Sequence, residues 1–200
     1  MSFAAVYDAS VLYPFEIRDI LMISAATREH AVYWSEQILD EWATNAIEDK
    51  VATAAQIQRL RDIMNQLHPN ASIAHDSYEH LIGSMTNDKK DRHVLAVAIA
   101  SRSDVVVTNN VRDFPENSVS PYNIEVQTPD EFIRTQATLN PFRFKQSFLS
   151  RANERIKASV RSGFGPFDPE EIAIYLKDGP SNMPESGKYI LELLEQDSMP

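Results

Sequence analysis

The segment 91–108 constrains the fold more than any other part of this 200-residue chain. Residues 91–102 have helical periodicity with apolar side chains on two faces, which indicates a helix that is covered on both sides. Asp104 then leads into a continuous β-branched run, Val105–Thr108, which is typical of a parallel strand buried on both faces. A buried helix followed directly by such a strand predicts an α/β fold with a parallel sheet.

Short apolar segments alternate with helical patterns along the first two thirds of the chain. Strands are predicted at residues 3–7, 31–34, 72–74 and 124–126, and helices at 15–23, 36–47, 51–67, 78–85 and from Thr128 onward. Ser35 and Thr128 are predicted N-caps, because a hydroxyl there can accept a hydrogen bond from a free backbone N–H of the first turn. This alternation extends the α/β prediction to the whole of the region.

The character of the chain changes after about Leu139. Six basic residues and one acidic residue, Glu154, occupy the segment 141–163: Arg143, Lys145, Arg151, Arg155, Lys157 and Arg161. A break is predicted at residues 163–166, followed by helices at 169–177 and 189–195. We therefore predict a first domain over residues 1–139 and a helical C-terminal extension over residues 140–200.

Composition excludes several classes of protein. The chain has no cysteine, which excludes disulfide scaffolds, thiolate metal sites and cysteine nucleophiles. Its net charge of −10 argues against generic nucleic-acid binding but leaves room for carboxylates gathered around a cation. We expect no signal peptide and no membrane contact, because the first residues have no basic segment and no apolar stretch approaches 18 residues. A cytoplasmic location is the corresponding expectation.

Acidic and amide side chains follow two of the predicted strands. Asp8 follows the first strand, and Asn110 and Asp113 follow Val105–Thr108. Asp91 begins the apolar helix on its inward face. Each acid taken alone could be a helix cap or a turn residue. Because ligands bind at the carboxyl ends of parallel strands, their joint placement favours a divalent-cation site, in which several carboxylates share one partner.

Four sequence blocks carry a more specific signal. They are Val6–Pro14, Trp34–Glu41, Asp91–Ala98 and Val107–Pro115, and they occur in the order found in PIN domains. The chain resembles that family over about residues 3–135, and more narrowly its branch of VapC-type toxins with a C-terminal extension. The resemblance implies a three-layer α/β/α nuclease domain within residues 1–139 and the activity of a metal-dependent endoribonuclease.

The resemblance also implies site residues. Asp8, Glu41, Asp91 and Asp113 match the four acids of the family's catalytic centre, which holds Mg²⁺ or Mn²⁺. Periodicity alone would leave Glu41 as a solvated helix residue, because it lies away from the centre of its helix's apolar stripe. Three further residues match supporting positions of the family. By this resemblance the hydroxyls of Ser10 and Thr108 order the centre, and Asn110 is a weak or outer ligand.

Two departures from the family pattern concern charge. Many PIN domains have an Asp where this chain has Asn110, and this branch tends to have an acid where this chain has Lys90. Loss of a negative charge at position 90 would weaken metal binding or favour phosphate. Basic residues that could contact RNA are Lys90, Arg92, Arg112, Arg143, Arg151 and Arg155, although a basic run such as 143–161 is also typical of a solvated helix face.

Partners follow from the same resemblance. A toxin of this type implies a cognate antitoxin, which would lay a helix or tail over the acidic cleft, together with an RNA substrate and a possible homodimer. The alternative is a degenerate PIN-like module that only binds a protein or RNA partner, against which the presence of all four acids argues. The five histidines show no metal-binding spacing, and His93 is predicted to be structural.

Overall fold

The computed structural model of the chain describes residues 3–162 and 168–196, and the side chains of residues 3–155 and 168–196. Within these ranges a five-stranded parallel sheet has the order β3-β2-β1-β4-β5. The strands are β1 (Ala4–Tyr7), β2 (Ala31–Ser35), β3 (Ser72–Ile73), β4 (Val105–Val107) and β5 (Glu125–Gln127). Helices flank this sheet, which confirms the predicted α/β/α architecture.

The helices alternate with the strands up to β5 and then follow one another. They are α1 (Ala9–Leu12), α2 (Phe15–Ala26), α3 (Glu36–Glu48), α4 (Ala54–Leu67), α5 (His75–Ile82), α6 (Arg92–Ser101), α7 (Glu116–Val119), α8 (Pro129–Leu139), α9 (Pro141–Ser162), α10 (Pro169–Asp178) and α11 (Pro184–Glu195). Two short 3₁₀ turns lie at Val111–Asp113 and Ser120–Tyr122. None of the described helices is long and apolar enough to cross a membrane.

The two central strands fix the position of the site. Every residue of β1 and β4 is buried, as the apolar runs predicted. The register places Tyr7 opposite Val107, and the backbone N–H of Asp8 donates to the carbonyl of Val107 at 3.1 Å. The residues that follow the two strands, Asp8 and Thr108, are therefore neighbours at the carboxyl edge of the sheet.

Three of the described helices begin three or more residues away from their predicted starts. Helix α4 begins at Ala54 rather than Val51, because Thr53 accepts from the backbone N–H of Gln56 and forms a capping box with it. Helix α5 lies three residues earlier than predicted, since its polar first turn at His75 carries no apolar periodicity. Helix α11 begins at Pro184 rather than Tyr189, with proline in its first turn. The break predicted at 163–166 lies outside the described residues.

The chain contacts divide into two compact units. The first comprises Met1–Pro14 and His30–Thr128, and the second comprises Phe15–Glu29 and Pro129–Pro200. In the second unit α2 packs against α8 and α9, and α11 packs against α8 and α10. Helix α2 is thus grouped with the helices of the predicted extension. The division into a domain over residues 1–139 and an extension over residues 140–200 remains a prediction.

Candidate active site

Asp8 is held in an orientation that helix capping does not explain. It stands at the N-cap position of α1 and is only 1% exposed, yet its side chain makes no capping hydrogen bond within the described chain. Instead Oδ2 accepts hydrogen bonds from Ser10 Oγ at 2.6 Å and Thr108 Oγ1 at 2.7 Å. Oδ1 is buried and has no hydrogen-bond partner among the described residues. One oxygen is fixed, and the other remains available to a ligand.

The two hydroxyls are themselves held by the loop after β4. The oxygens of Ser10 and Thr108 lie 3.1 Å apart. The backbone N–H of Asn109 donates to Ser10 Oγ at 3.0 Å, and that of Asn110 donates to Thr108 Oγ1 at 2.9 Å. Through these contacts Ser10 and Thr108 could order the acidic centre, as the family resemblance implies. A role for the Asn110 side chain as an outer ligand remains a prediction.

Asp91 lies among other carboxylates. It is 6% exposed at the N-cap position of α6, where its side chain caps no N–H in the described chain. Burial raises the pKa of Asp91 to about 7, and the negative charges of Asp8, Asp113, Glu41 and Asp88 add to the shift, in that order. The structure therefore brings the other three predicted acids within electrostatic reach of Asp91.

Asp88 is an acid of this cluster that the sequence interpretation missed. Its Oδ1 accepts from the backbone N–H of Lys90 at 2.9 Å, and its own N–H donates to the carbonyl of Asp113 at 2.9 Å. Asp88 thereby joins the loop before α6 to the 3₁₀ turn that carries Asp113. One indication of this role was present in the sequence, because Asp88 lies three residues before Asp91 in a polar segment.

Glu41 reaches the cluster from α3. That helix starts at Ser35, which accepts from the N–H of Ile38 at 3.3 Å, and buries Ile38, Leu39 and Trp42. Its Glu41 side chain remains 43% exposed. Burial first, and then the charge of Asp8, raise the pKa of Glu41, whereas the charge of Lys90 lowers it. Periodicity alone indicated a solvated helix residue, but the Glu41 carboxyl interacts with the charges of Asp8 and Lys90.

The predicted RNA-contacting cations occupy two settings. In the first unit Lys90 and Arg112 are exposed, and half-buried Arg92 donates from Nε to the carbonyl of Asn87 at 3.4 Å. In the second unit each of the three predicted arginines has an acidic neighbour, and these pairs are Arg143–Glu29 at 3.7 Å, Arg151–Asp19 at 2.7 Å and Arg155–Asp19 at 3.5 Å. RNA contact by any of the six remains a prediction.

The donor chemistry of the cluster fits a hard divalent cation. Carboxylate oxygens are the ligands that such ions prefer. Oδ1 of Asp8 has no partner among the described residues, and burial together with neighbouring carboxylates raises the pKa of Asp91, which a bound cation would offset. In the part of the chain that the structure describes, no three Asp, Glu or His side chains stand close enough together to hold an ion. Ion binding would therefore require these side chains to move closer together, and the Glu41 side chain is partly exposed at 43%.

Comparison with known proteins places this site in a family. A model of the PIN domain matches residues 4–112, which is more than half of the chain. The chain therefore belongs to the PIN-domain family, as its four sequence blocks predicted. Over 62 residues it is 45% identical to the protein named putative ribonuclease VapC50 of Mycobacterium tuberculosis (strain ATCC 25618 / H37Rv). That match covers 31% of this chain and 37% of the relative.

Proposed function

We propose that this chain is a metal-dependent endoribonuclease that acts as the toxin of a VapBC-like type II toxin–antitoxin pair. The observation that carries the proposal is the group of acids around buried Asp8 and Asp91, close to the carboxyl edge of β1 and β4, in a PIN-family chain. The similarity to a protein whose name describes a VapC ribonuclease supports the same reading.

The proposed cofactor is Mg²⁺ or Mn²⁺. When bound, such an ion activates water and stabilises the negative charge that develops during phosphodiester cleavage. Asp8 and Asp91 would be its principal ligands, and Glu41 and Asp113 would complete the centre. The protein's own contribution is orientation, because Ser10 and Thr108 hold Oδ2 of Asp8 and leave Oδ1 without a partner among the described residues.

The site also has to bind an anionic polymer. The acids of the cluster repel phosphate, and the chain as a whole carries a net charge of −10. Lys90, Arg92 and Arg112 belong to the same unit as the acids and would draw the RNA backbone to them. Lys90 lies near enough to Glu41 to lower the pKa of that carboxyl. It would therefore offset part of the charge beside the site.

The antitoxin and the place of action belong to the same proposal. A small partner protein would cover the acidic cluster with a helix or tail that carries an Arg or Lys, and the pair would act in the cytoplasm. Co-expression of this chain with the small protein encoded beside it should yield a complex that purifies together and cleaves no RNA. Separate elution of the two proteins would contradict this part of the proposal.

Cleavage of mixed cellular RNA tests the nuclease directly. The purified chain is incubated with Mn²⁺, with Mg²⁺ or with EDTA, beside Asp8→Asn, Asp91→Asn and a matched exposed control, Asp62→Asn. We expect discrete cuts with either metal in the wild type and in the control, and none with EDTA or in the two site variants. If no condition gives cleavage and Mn²⁺ does not bind, the chain is instead a degenerate PIN-like module that acts by binding a partner.

A further inference from the structure

An open groove of about 410 Å³ lies at the carboxyl ends of β2 and β3. Its volume falls within the range of small-molecule sites, which is roughly 300–1,000 Å³. The polar side chains that line it belong to α3, β3 and α5, and they are Glu36, Gln37, Asp40, Ser72, His75 and Tyr78. The function proposed above gives none of these side chains a role.

The groove is close to the proposed catalytic acids. Strand β2 is the neighbour of β1, which Asp8 follows, and neighbouring strands lie about 4.8 Å apart. Gln37 precedes Glu41 by four residues on α3, so the two side chains lie on the same face of that helix, one turn apart. A nucleotide next to a bond cleaved at the acids would therefore be within reach of the groove.

The amide of Gln37 is held in one orientation. Tyr78 is 1% exposed, and its hydroxyl donates to Oε1 of Gln37 at 3.5 Å. Because a hydroxyl has one hydrogen, Nδ1 of His75 must be the donor in its 3.2 Å contact with the same hydroxyl. Nε2 of Gln37 has no hydrogen-bond partner among the described residues. The amide thus offers a free N–H donor and the second lone pair of its carbonyl oxygen.

The charges and rings of the groove suit a base better than a phosphate. Arg61 pairs with both Glu36 and Asp40, so two carboxylates share one guanidinium and this wall keeps a net negative charge. Such a wall repels phosphate and attracts N–H donors. The His75 ring packs edge to face on Tyr78 at 5.2 Å between centroids, and its side chain is 57% exposed. It therefore offers an aromatic surface on which an unpaired base can stack.

We propose that this groove binds one unpaired base of the RNA substrate, and that Gln37 selects adenine or cytosine there. The proposal rests on the nuclease function proposed above. Both bases carry an amino group beside a ring nitrogen that accepts hydrogen bonds, so Oε1 of Gln37 can accept from the amino group while Nε2 donates to the ring nitrogen. On their Watson–Crick and Hoogsteen edges, uracil and guanine have a carbonyl oxygen in place of that amino group, and this oxygen would face Oε1 and repel it.

Binding of short RNAs by the full chain in EDTA tests the base site without cleavage. Fluorescence anisotropy gives dissociation constants for four labelled heptaribonucleotides, UUUNUUU, in which N is A, C, G or U. We expect values at least fivefold lower for A and C than for G and U, in the wild type and in Gln66→Ala, an exposed-glutamine control on α4. The preference should disappear in Gln37→Ala. In Tyr78→Phe the amide can turn over, so the preference should fall below twofold, whereas a merely structural role of Tyr78 would weaken all four RNAs alike.

The outcomes separate this proposal from the nuclease proposal. Equal affinity for the four RNAs in the wild type, a preference for G or U, or a preference that survives in Gln37→Ala would overturn the base site. Binding of none of the four would do the same, while cleavage of cellular RNA decides the nuclease separately. Equal affinities together with loss of the co-purified complex in Gln37→Ala would instead assign the groove to the partner protein. The wild-type ratios decide the question even if a variant does not fold.

Discussion

At the scale of single residues, the site is defined by buried carboxylates that lack some of the hydrogen-bond partners such groups usually have. Asp8 has one oxygen held by two hydroxyls and one oxygen without a partner in the described chain. Asp91 occupies a helix N-cap position without using its side chain as a cap. Native proteins pair almost all buried polar groups, so unpaired ones at a sheet edge indicate a ligand-binding function rather than a structural one.

The pKa of Asp91 predicts an unusual dependence of stability on pH. The folded-state pKa of about 7 lies above the ordinary value of an aspartate, so between about pH 4 and pH 7 the folded chain binds more protons than the unfolded chain. The free energy of unfolding contributed by Asp91 should therefore fall as pH rises through this window. In EDTA we expect a loss on the order of a few kcal/mol by pH 7.

Denaturant unfolding at pH 5 and pH 7.5 in EDTA measures this loss. Asp91→Asn should remove most of the pH dependence, because the amide stays neutral at both values. Saturating Mn²⁺ should restore stability mainly at the higher pH, where the carboxylate is ionised. A wild-type chain that becomes more stable between the two pH values, with Asp91→Asn unchanged, would contradict the prediction.

Thr108 offers a second prediction at this scale. Its hydroxyl donates to Oδ2 of Asp8 at 2.7 Å and accepts from the N–H of Asn110 at 2.9 Å. Thr108→Val keeps the shape but removes one of the two hydrogen bonds to Oδ2 of Asp8 and leaves the N–H of Asn110 without its acceptor, so we expect about 1–3 kcal/mol of lost stability and a roughly tenfold to hundredfold fall in kcat/KM for RNA cleavage. Thr108→Ser keeps the hydroxyl and should stay within about threefold of the wild type. Equal activity in the two variants would show that the hydroxyl is not needed.

At the scale of elements, helix caps connect the fold to the site. Ser35 caps α3, which carries Glu41, and Thr53 caps α4, which contributes no acid to the cluster. Ser35→Ala and Thr53→Ala should each lower the free energy of unfolding by about 1 kcal/mol. Only Ser35→Ala should also reduce RNA cleavage, since fraying of the first turn of α3 would loosen Glu41. Thermal melts and cleavage rates of both variants check this, and a matching loss of activity in Thr53→Ala would contradict it.

Elements differ in how well sequence predicts them. The apolar runs of β1 and β4 predicted those strands within a residue, because burial on both faces leaves no polar alternation to misread. The polar first turns of α5 and α11 concealed their starts, since apolar periodicity appears only after them. In the site, the strand end before Asp8 and the inward face of the apolar helix at Asp91 predicted that these two acids lie at one sheet edge. Glu41 required the family pattern, because its side chain lies away from the centre of the apolar stripe of α3.

At the scale of the whole molecule, the second unit joins distant parts of the sequence. Helix α2 contributes Ile20 and Ile23 to a cavity of about 150 Å³ that is also lined by Phe148, Ile172 and Leu176. Asp19 of the same helix, only 8% exposed, receives Arg151 and Arg155. Residues 140–200 thus supply both apolar and charged partners to α2, and their removal would expose these groups to water.

Truncation after residue 139 is therefore expected to destabilise the chain. The exposed apolar face of α2 and the loss of ion-pair partners for nearly buried Asp19 should lower the melting temperature by several degrees and increase binding of a hydrophobic dye. Asp19→Asn in the full chain isolates the charge contribution, and it should destabilise less than truncation because the packing of α2 remains. Circular dichroism melts of the three proteins check this order. A truncated chain that melts like the full chain would show that α2 is stable without residues 140–200.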